Sequence, residues 1–388
     1  MKIAFYVGTI EPETVGGGST FQLNFIEALL EYQTNNNVIV YYVCENDIYE
    51  NTENIQFKNL YEKFYPKKEH VFDSRKKKRL TLNQIVKQDN IEVIYFINLQ
   101  TQLVDIPYFT TVWDLAHKEH PYFPESSVAG FTFEARESYY NKVLPRASGI
   151  IIGNLTGKKQ LLDYYPLNEK LIHTNPLPTP EYVYKLPADD SILEKLKIQP
   201  KKYLFYPAQF WPHKNHIRLL KEFKNNHFDL KLVFSGADKG NMTYIKQKVE
   251  EYNLNDYVIF AGFIKKEEII SLYKNAYALC YASYFDPDNL PPLEAMALNC
   301  PVICSDTKGM KEQLKDCALF FNNKTGENLV ENINKLSNEE FRNEITQKAQ
   351  NLALSYSTKN YIKKVFELLD DFSLIRECWS NKEEFIHL

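Results

Sequence analysis

The chain of 388 residues exceeds the size at which one hydrophobic core keeps growing, so its length predicts two domains. Hydrophobic residues make up 44% and charged residues 25%, which is ordinary for a soluble globular protein. A net charge of −4 gives no electrostatic case for nucleic-acid binding.

The amino-terminal run is too short for a signal peptide, and no run approaches the about 20 apolar residues of a membrane-spanning helix. The six cysteines contain no CxxC pair, and no histidine completes a zinc set around them. We therefore expect a cytoplasmic protein with reduced thiols and no metal site.

Strands alternate with helices in the first half of the chain. A strand at 2–7 precedes three glycines at 16–18 and an apolar run at helical spacing. Further strands are predicted at 38–43, 93–97, 109–112 and 149–152.

The second half opens in the same way, with a strand at 202–206, a loop and a helical pattern. The elements predicted after it are strands at 231–235, 257–260, 277–281, 301–305 and 318–321, with helices at 243–251 and 266–274 among them. Apolar strands that alternate with helices indicate parallel sheets covered on both faces. Ligands bind beyond the carboxyl ends of such strands, so residues just after strands are the candidates for a site.

Proline-rich sequence at 174–180 marks the domain boundary. We predict an N-terminal domain at 1–174, a linker at 175–192 and a C-terminal domain at 193–357. The tail at 358–388 has helical spacing and is predicted to form a closing helix that packs back on the N-terminal domain.

The run Asp-Pro-Asp-Asn-Leu-Pro-Pro-Leu-Glu at 286–294 places carboxylates before and at the start of a predicted helix. Glu294 is expected in the first turn, where a carboxylate alone also stabilises its helix without any ligand. Asp286, Asp288 and Asn289 favour a ligand instead, because free backbone N–H groups at a helix start form an anion site.

Lys214 follows the strand at 202–206 and is a candidate partner for a diphosphate leaving group, although a plain surface lysine is the alternative. Arg218, one helical turn later, is a second candidate cation. Gln209 and His213 are candidate hydrogen-bonding groups.

Two N-terminal loops carry the remaining candidates. Gly17 and Gly18 allow the backbone to approach a ligand closely, and a flexible loop is the alternative. The loop at 111–121 holds Asp114 and His117, for which we favour a site role, and His120, for which we do not.

A basic run at 75–79 has two interpretations. A solvated loop is the simpler one. The other is peripheral contact with anionic lipid at the inner face of the cell membrane.

Taken together, these motifs resemble the retaining nucleotide-sugar glycosyltransferases of family 4 (glycosyl transferases group 1), which have the GT-B fold. The stretch 286–303 is similar to the family's carboxylate–x7–carboxylate signature and the Pro-Val-Ile that follows. Trp-Pro-His-Lys-Asn at 211–215 resembles its phosphate-lysine region. The glycines at 16–18 and the run at 112–117 resemble its two N-terminal loops.

The resemblance implies two Rossmann-like domains facing a cleft. Glu294 would bind ribose hydroxyls, and Asp286 would bind hydroxyls of the donor sugar. The N–H groups of Asn289 and Leu290, with Lys214, would hold the diphosphate. The family is usually metal-independent, so no cofactor is implied beyond the donor substrate.

Several residues depart from the family pattern. Asp286 stands where glutamate is usual, Gln209 where arginine is frequent, and Trp113 where histidine is frequent. Asn289 replaces the turn glycine and is expected in a left-handed conformation.

The predicted activity is therefore transfer of a hexosyl group from a nucleoside diphosphate sugar to a glycan or lipid-linked glycan, with retention, in surface polysaccharide synthesis. The alternatives are a sugar-nucleotide epimerase of the same fold and a catalytically silent sugar-nucleotide-binding subunit. A nicotinamide oxidoreductase is disfavoured, because the G-x-G-x-x-G fingerprint is absent.

Overall fold

The computed structural model describes residues 1–10, 16–65, 79–127, 131–226, 228–285 and 288–380. Within these residues the chain forms a seven-stranded and a six-stranded parallel sheet. The strands are β1 (Lys2–Thr9), β2 (Asn37–Val43), β3 (Ile55–Asn59), β4 (Val93–Phe96), β5 (Tyr108–Val112), β6 (Gly149–Ile152), β7 (Ile172–Thr174), β8 (Tyr203–Pro207), β9 (Lys231–Ser235), β10 (Val258–Gly262), β11 (Ala278–Tyr281), β12 (Val302–Ser305) and β13 (Leu319–Phe321).

Helices cover the faces of both sheets. They are α1 (Gly17–Glu31), α2 (Tyr61–Phe64), α3 (Leu82–Gln88), α4 (Ala116–Glu119), α5 (Pro124–Ser127), α6 (Phe133–Val143), α7 (Leu155–Tyr164), α8 (Tyr182–Lys185), α9 (Ser191–Leu196), α10 (His216–Asn225), α11 (Met242–Glu251), α12 (Lys266–Asn275), α13 (Leu290–Ala297), α14 (Lys308–Leu314), α15 (Leu329–Lys335), α16 (Glu339–Ser355) and α17 (Thr358–Arg376). Short 3₁₀ turns span Leu144–Arg146, Glu169–Leu171 and Pro212–Lys214.

Both sheets are doubly wound from their centres. The first has the order β3-β2-β1-β4-β5-β6-β7 and the second β10-β9-β8-β11-β12-β13. The winding direction therefore reverses between β1 and β4 in one sheet and between β8 and β11 in the other. Crevices at such switch points are where ligands bind in open parallel sheets.

The strands near the switch points are buried on both faces, as their near-continuous apolar sequences predict. Every residue of β4, β5, β6, β11 and β12 is buried. The sequence missed β3 and β7, which lie at opposite edges of the first sheet. β3 exposes alternate polar residues and β7 has only three residues, so neither carries a strong apolar signal.

The connection between the sheets packs closely against the C-terminal domain. The segment predicted as a linker at 175–192 contains α8, and Thr179 bonds to the end of α16. Its N–H donates to the Tyr356 carbonyl at 2.7 Å and its hydroxyl to the Ala353 carbonyl at 2.7 Å. These bonds hold the connection to the C-terminal domain at the end of α16.

The C-terminal part of the chain forms α17, which returns from the second sheet and packs against α1. Its Phe366 is buried, makes an edge contact with Phe5 and stacks on Tyr32 at a centroid distance of 4.6 Å. The hydroxyl groups of Tyr361 and Tyr95 lie 3.1 Å apart. The C-terminal helix thus completes the core of the first domain.

Phe366→Ala tests this contribution. Truncating a buried phenylalanine costs about 3–5 kcal/mol, so the denaturant midpoint of the N-terminal domain should fall markedly. Leu374→Ala is the matched control, because Leu374 lies on the same helix and is 69% exposed. Equal midpoints for the two variants would contradict the assigned packing.

Candidate active site

A hydrogen-bonded row of three side chains lies at the switch point of the second sheet. The ammonium group of Lys214 donates to the Tyr281 hydroxyl at 2.8 Å, and that hydroxyl donates to Oδ1 of Asn289 at 2.8 Å. Lys214 follows β8, Tyr281 ends β11 and Asn289 precedes α13. The structure therefore brings together Lys214 and Asn289, which the sequence analysis selected from two separate motifs.

Tyr281 is a site residue that the sequence analysis missed. It was taken only as the last residue of an apolar strand, and its ring is buried as expected there. Its hydroxyl nevertheless holds the lysine in place, and the ammonium group lies 5.2 Å from the ring centroid. Its position could have identified it, because Tyr281 is the last residue of β11 and ligand-binding residues are expected where strands end at a switch point.

Asn289 does not adopt the left-handed conformation expected from its replacement of glycine. Its φ of −133° and ψ of 134° are extended, because it is the residue that caps α13. Its N–H donates to Oε1 of Gln313 at 3.0 Å, and Gln313 donates back to the Asn289 carbonyl at 2.8 Å. In this arrangement the Asn289 amide that was predicted to hold a diphosphate is occupied by a side chain.

Glu294 lies in the second turn of α13, so the prediction of a first-turn position was wrong. The helix begins at Leu290, before the two prolines, and has no acidic residue in its first turn. The Glu294 carboxylate is buried and accepts hydrogen bonds from Tyr182 and, at 2.8 Å, from Tyr273. Burial raises its pKa, and the two hydroxyls partly offset that effect.

The Asp288 side chain contacts the first domain at Gly153 and the connection between the two sheets at Leu177. One carboxylate oxygen accepts the Leu177 N–H at 2.7 Å, and the other accepts from the Gln313 amide. A β-carbon on Gly153 would lie 2.3 Å from the first oxygen, so only glycine permits this approach. Burial, reinforced by the charge of Glu312, raises the pKa of Asp288 to about 7. Asp288 was predicted to bind the donor, but in this structure its oxygens bind protein groups.

Arg218 does not point to the candidate phosphate site. Its guanidinium donates to Glu222 at 2.6 Å and to the Lys324 carbonyl at 3.0 Å, and the side chain is 11% exposed. The arginine follows the lysine by one turn, as predicted, but its i,i+4 partner directs it to the loop after β13.

The other predicted donor residues lie where the two domains face each other. Gln209 accepts the indole N–H of Trp211 at 3.0 Å, and its amide nitrogen lies 3.7 Å from where a β-carbon on Gly16 would be. Leu290 is buried, and its Cδ1 atom lies 3.8 Å from where a β-carbon on Gly17 would be. Asp286 lies outside the described residues.

Gly17 and Gly18 form the first turn of α1, and a cavity of about 280 Å³ opens beside them. A β-carbon on Gly18 would lie 2.8 Å from the Trp113 ring, so this glycine lets the indole pack on the helix start. Asn98 and Gln100, which follow β4, line the same cavity. The cavity thus sits at the switch point of the first sheet.

The two histidines of the loop after β5 lie in different surroundings. His117 was favoured for the site, but it is fully buried, bonds to Glu137 at 2.8 Å and stacks on Tyr140. Burial lowers its pKa, so it is a neutral core residue. His120, assigned no site role, stacks on Phe285 across the cleft at a centroid distance of 5.4 Å. Helical spacing cannot show which of the two faces the core.

Asp114 lies at the cleft but is already paired. Its carboxylate accepts from the Arg136 guanidinium at 3.0 Å and from the Ala116 N–H at 2.9 Å. Arg136 thus neutralises the predicted site acid. Asp114 therefore carries a compensated charge.

Two further polar contacts join the domains. The carboxylate of Glu312 accepts the N–H groups of Leu155 and Thr156 at the start of α7, at 2.6 and 2.9 Å. Glu125 accepts the N–H of His213 at 2.9 Å and bonds its imidazole, whose ring stacks on Phe285 at 4.1 Å. These contacts could not be predicted from the sequence, because their partners are far apart in the chain.

Within the described ranges, no group of three or more histidine, cysteine or acidic side chains is placed to hold a metal ion. In the same residues no helix is long and apolar enough to cross a membrane. Of the basic run at 75–79 only Arg79 is described, and its guanidinium lies 5.7 Å from the Tyr65 ring centroid.

Solved structures show what class of fold this is. A sucrose-phosphate synthase from Thermosynechococcus elongatus matches with a TM-score of 0.74 over 97% of this chain and 100% of that one, at 15% identity. HepE of Anabaena in complex with UDP-glucose matches with a TM-score of 0.70 over 96% and 100%, at 15% identity. The protein has the GT-B fold, as predicted.

A family model matches the C-terminal part of the sequence. Residues 189–352 match the model described as glycosyl transferases group 1, and this match confirms the predicted resemblance. The O-antigen chain mannosyltransferase RfbU of Salmonella typhimurium is 33% identical over 145 residues. That match covers 36% of this chain and spans only 40% of the relative's length.

The raised pKa of Asp288 predicts a pH-dependent stability. The folded protein holds this proton more tightly than the unfolded chain, whose aspartate has the ordinary pKa of 3.8. The resulting stabilisation is complete below about pH 4 and is lost as the pH rises through about 7. Between these values the free energy of unfolding should fall for the natural protein relative to Asp288→Asn, by up to about 1.4 kcal/mol per pH unit. Denaturation at several pH values measures this, and parallel profiles would refute it.

Proposed function

We propose that the protein transfers a hexosyl group from a nucleoside diphosphate sugar to a hydroxyl of a glycan or lipid-linked glycan, with retention at the anomeric carbon. The observation that carries the proposal is the row Lys214–Tyr281–Asn289 at the switch point of the family-matched domain. HepE, of the same fold, was solved with UDP-glucose, and RfbU is named as a mannosyltransferase of the O-antigen chain. These names support a sugar-nucleotide donor and a role in surface polysaccharide synthesis.

The chemistry requires stabilisation of the leaving diphosphate. Lys214 supplies a positive charge beside the start of α13, and Tyr281 fixes its direction. A positioned donor of this kind is worth several kcal/mol in the transition state, because it needs no reorganisation as charge develops. Asp286 is proposed to bind hydroxyls of the donor sugar and Glu294 those of the ribose.

Two rearrangements would bring the remaining groups to a donor. Exchange of the Gln313 hydrogen bond would release the Asn289 N–H for a phosphate oxygen. Separation of Glu294 from Tyr273 would turn its carboxylate to the ribose. In each case the donor supplies a new partner for the group that moves, whereas the Gln313 amide oxygen and the buried Tyr273 hydroxyl lose theirs and need another partner.

The acceptor side is proposed at the first domain, where the cavity beside Gly18 faces the donor site. Closure of the cleft would exclude water that otherwise hydrolyses the donor. A cytoplasmic location, peripheral membrane contact through residues 75–79 and independence from added metal remain predictions. Persistence of activity in EDTA tests the last of these.

Donor binding is tested by thermal shift with UDP-, GDP- and dTDP-linked hexoses. At least one should raise the melting temperature, because a ligand that binds only the folded state stabilises it. Transfer is then followed with that donor, and the anomeric configuration of the product is read by NMR. An inverted product would refute retention, and product formed without any acceptor would favour the epimerase alternative.

Lys214→Met removes the charge at similar side-chain length. We expect kcat to fall on the order of 10²–10³-fold, with an unchanged melting temperature, since one transition-state donor is lost. Lys221→Met is the control, because Lys221 is exposed on α10 away from the row. Similar kcat values for the two variants would remove Lys214 from the mechanism.

Glu294→Gln tests the ribose assignment. Its amide oxygen can still accept a hydrogen bond from Tyr273, so the fold should survive, while the charge that favours ribose hydroxyls is gone. We expect at least tenfold weaker binding of the donor found by thermal shift, measured by calorimetry. Tyr273→Phe is the control, since it removes a partner of Glu294 and leaves the carboxylate. Unchanged affinity in Glu294→Gln would contradict the assignment.

A further inference from the structure

The side-chain amide of Gln313 pairs with both backbone groups of Asn289. Its Oε1 accepts the Asn289 N–H at 3.0 Å, and its Nε2 donates to the Asn289 carbonyl at 2.8 Å. Gln313 lies near the end of α14 and is buried, so this pairing is shielded from water. A glutamine oxygen therefore occupies the N–H group that is proposed to hold a phosphate oxygen.

Neighbouring groups hold Gln313 in this position. The same Nε2 also donates to Oδ1 of Asp288, and the backbone carbonyl of Gln313 accepts from the Tyr356 hydroxyl at 3.1 Å. The preceding residue, Glu312, is bonded to the start of α7 in the first domain. The backbone and the amide of Gln313 are thus both fixed, and the amide is preorganised to keep the Asn289 N–H.

A phosphate oxygen and the Gln313 oxygen compete for one hydrogen atom. Asn289 has a single backbone N–H, which makes one well-directed hydrogen bond. A charged phosphate oxygen forms the stronger bond of the two. Its gain is reduced, however, because the buried amide oxygen of Gln313 is left without its partner.

The competition leaves the rest of the proposed donor site intact. The Asn289 side chain makes a different bond, in which its Oδ1 accepts the Tyr281 hydroxyl at 2.8 Å. Tyr281 in turn accepts from Lys214. Loss of the Gln313 amide would therefore free the Asn289 N–H without removing a member of the row.

We propose that Gln313 is an internal competitor for the diphosphate and lowers the affinity of the site for nucleoside diphosphates. The inference rests on the proposed glycosyl transfer, because it concerns regulation of the same site. A site whose binding group is engaged elsewhere binds its ligand more weakly, in proportion to the fraction that is free. The leaving nucleoside diphosphate meets the same competitor, so Gln313 favours release of this product, a step that limits many enzymes.

Gln313→Met removes the competing oxygen at similar side-chain length. The Asn289 N–H is then unpaired in the free protein and paired only in the complex, so ligand binding gains what the free protein has lost. We expect the dissociation constant for UDP, GDP or dTDP, whichever binds most tightly, to fall by at least about fivefold in calorimetry. The melting temperature without ligand should not rise. A purely structural role predicts the opposite, namely weaker binding.

A second variant keeps the test decisive if the methionine variant does not fold. Gln313→Asn retains a polar amide that is one methylene group too short to reach the Asn289 N–H, and its affinity should rise in the same direction, by at least about twofold. Gln350→Met is the matched control. The Gln350 amide donates to the Ala297 carbonyl at the other end of α13, at 3.4 Å, so its loss should leave the affinity unchanged.

Inorganic pyrophosphate separates this inference from the proposed function, because it carries the diphosphate without a nucleoside. If a nucleoside diphosphate binds the natural protein as tightly as the Gln313 variants, or more tightly, the competition is refuted and the proposed donor site stands. If no nucleotide binds, but the variants bind pyrophosphate more tightly than the natural protein does, the glycosyl transfer fails and the competition stands. Absence of binding by all four probes overturns both.

Discussion

The arrangement of the two domains depends on polar groups of one domain that are satisfied by the other. Asp288 accepts the N–H of Leu177, Glu312 accepts two N–H groups at the start of α7, and Glu125 bonds His213. A buried N–H or carboxylate that loses its partner costs as much as a lost hydrogen bond or more. The cleft therefore cannot change its width without new partners for these groups, supplied by water or by a ligand. This constraint holds the two switch points opposite each other.

The same contacts connect cleft geometry to the donor site. Gln313 bonds both Asp288, which reaches the first domain, and Asn289, which belongs to the proposed phosphate site. His213 bonds the first domain and directly precedes Lys214. A displacement of the first domain must consequently alter the groups on either side of the proposed phosphate site. In the proposed glycosyl transfer, closure of the cleft would therefore be coupled to assembly of the site, as expected for an enzyme that keeps water from its donor.

The sequence was most informative where a local pattern decides the outcome. Strands β4, β5 and β6 were recognised because burial on both faces produces continuous apolar runs. Lys214 was selected because it lies in the loop between such a strand and a helix. The burial of His117 could not be predicted, since His117 and His120 lie close together in sequence and only tertiary packing decides which is buried. Tyr281, Glu312 and Glu125 could not be assigned, because each acts through a partner that is distant in sequence. Glu294 was placed one turn too early, since α13 begins before its prolines.

Gly153 has a consequence for how the cleft could vary. A β-carbon on Gly153 would lie 2.3 Å from an oxygen of the Asp288 carboxylate, so even a methyl group there would overlap that atom. Any side chain at this position would act as a wedge between the domains and would also separate Asp288 from Leu177. The close approach of the two domains at this point thus depends on the absence of a single carbon atom.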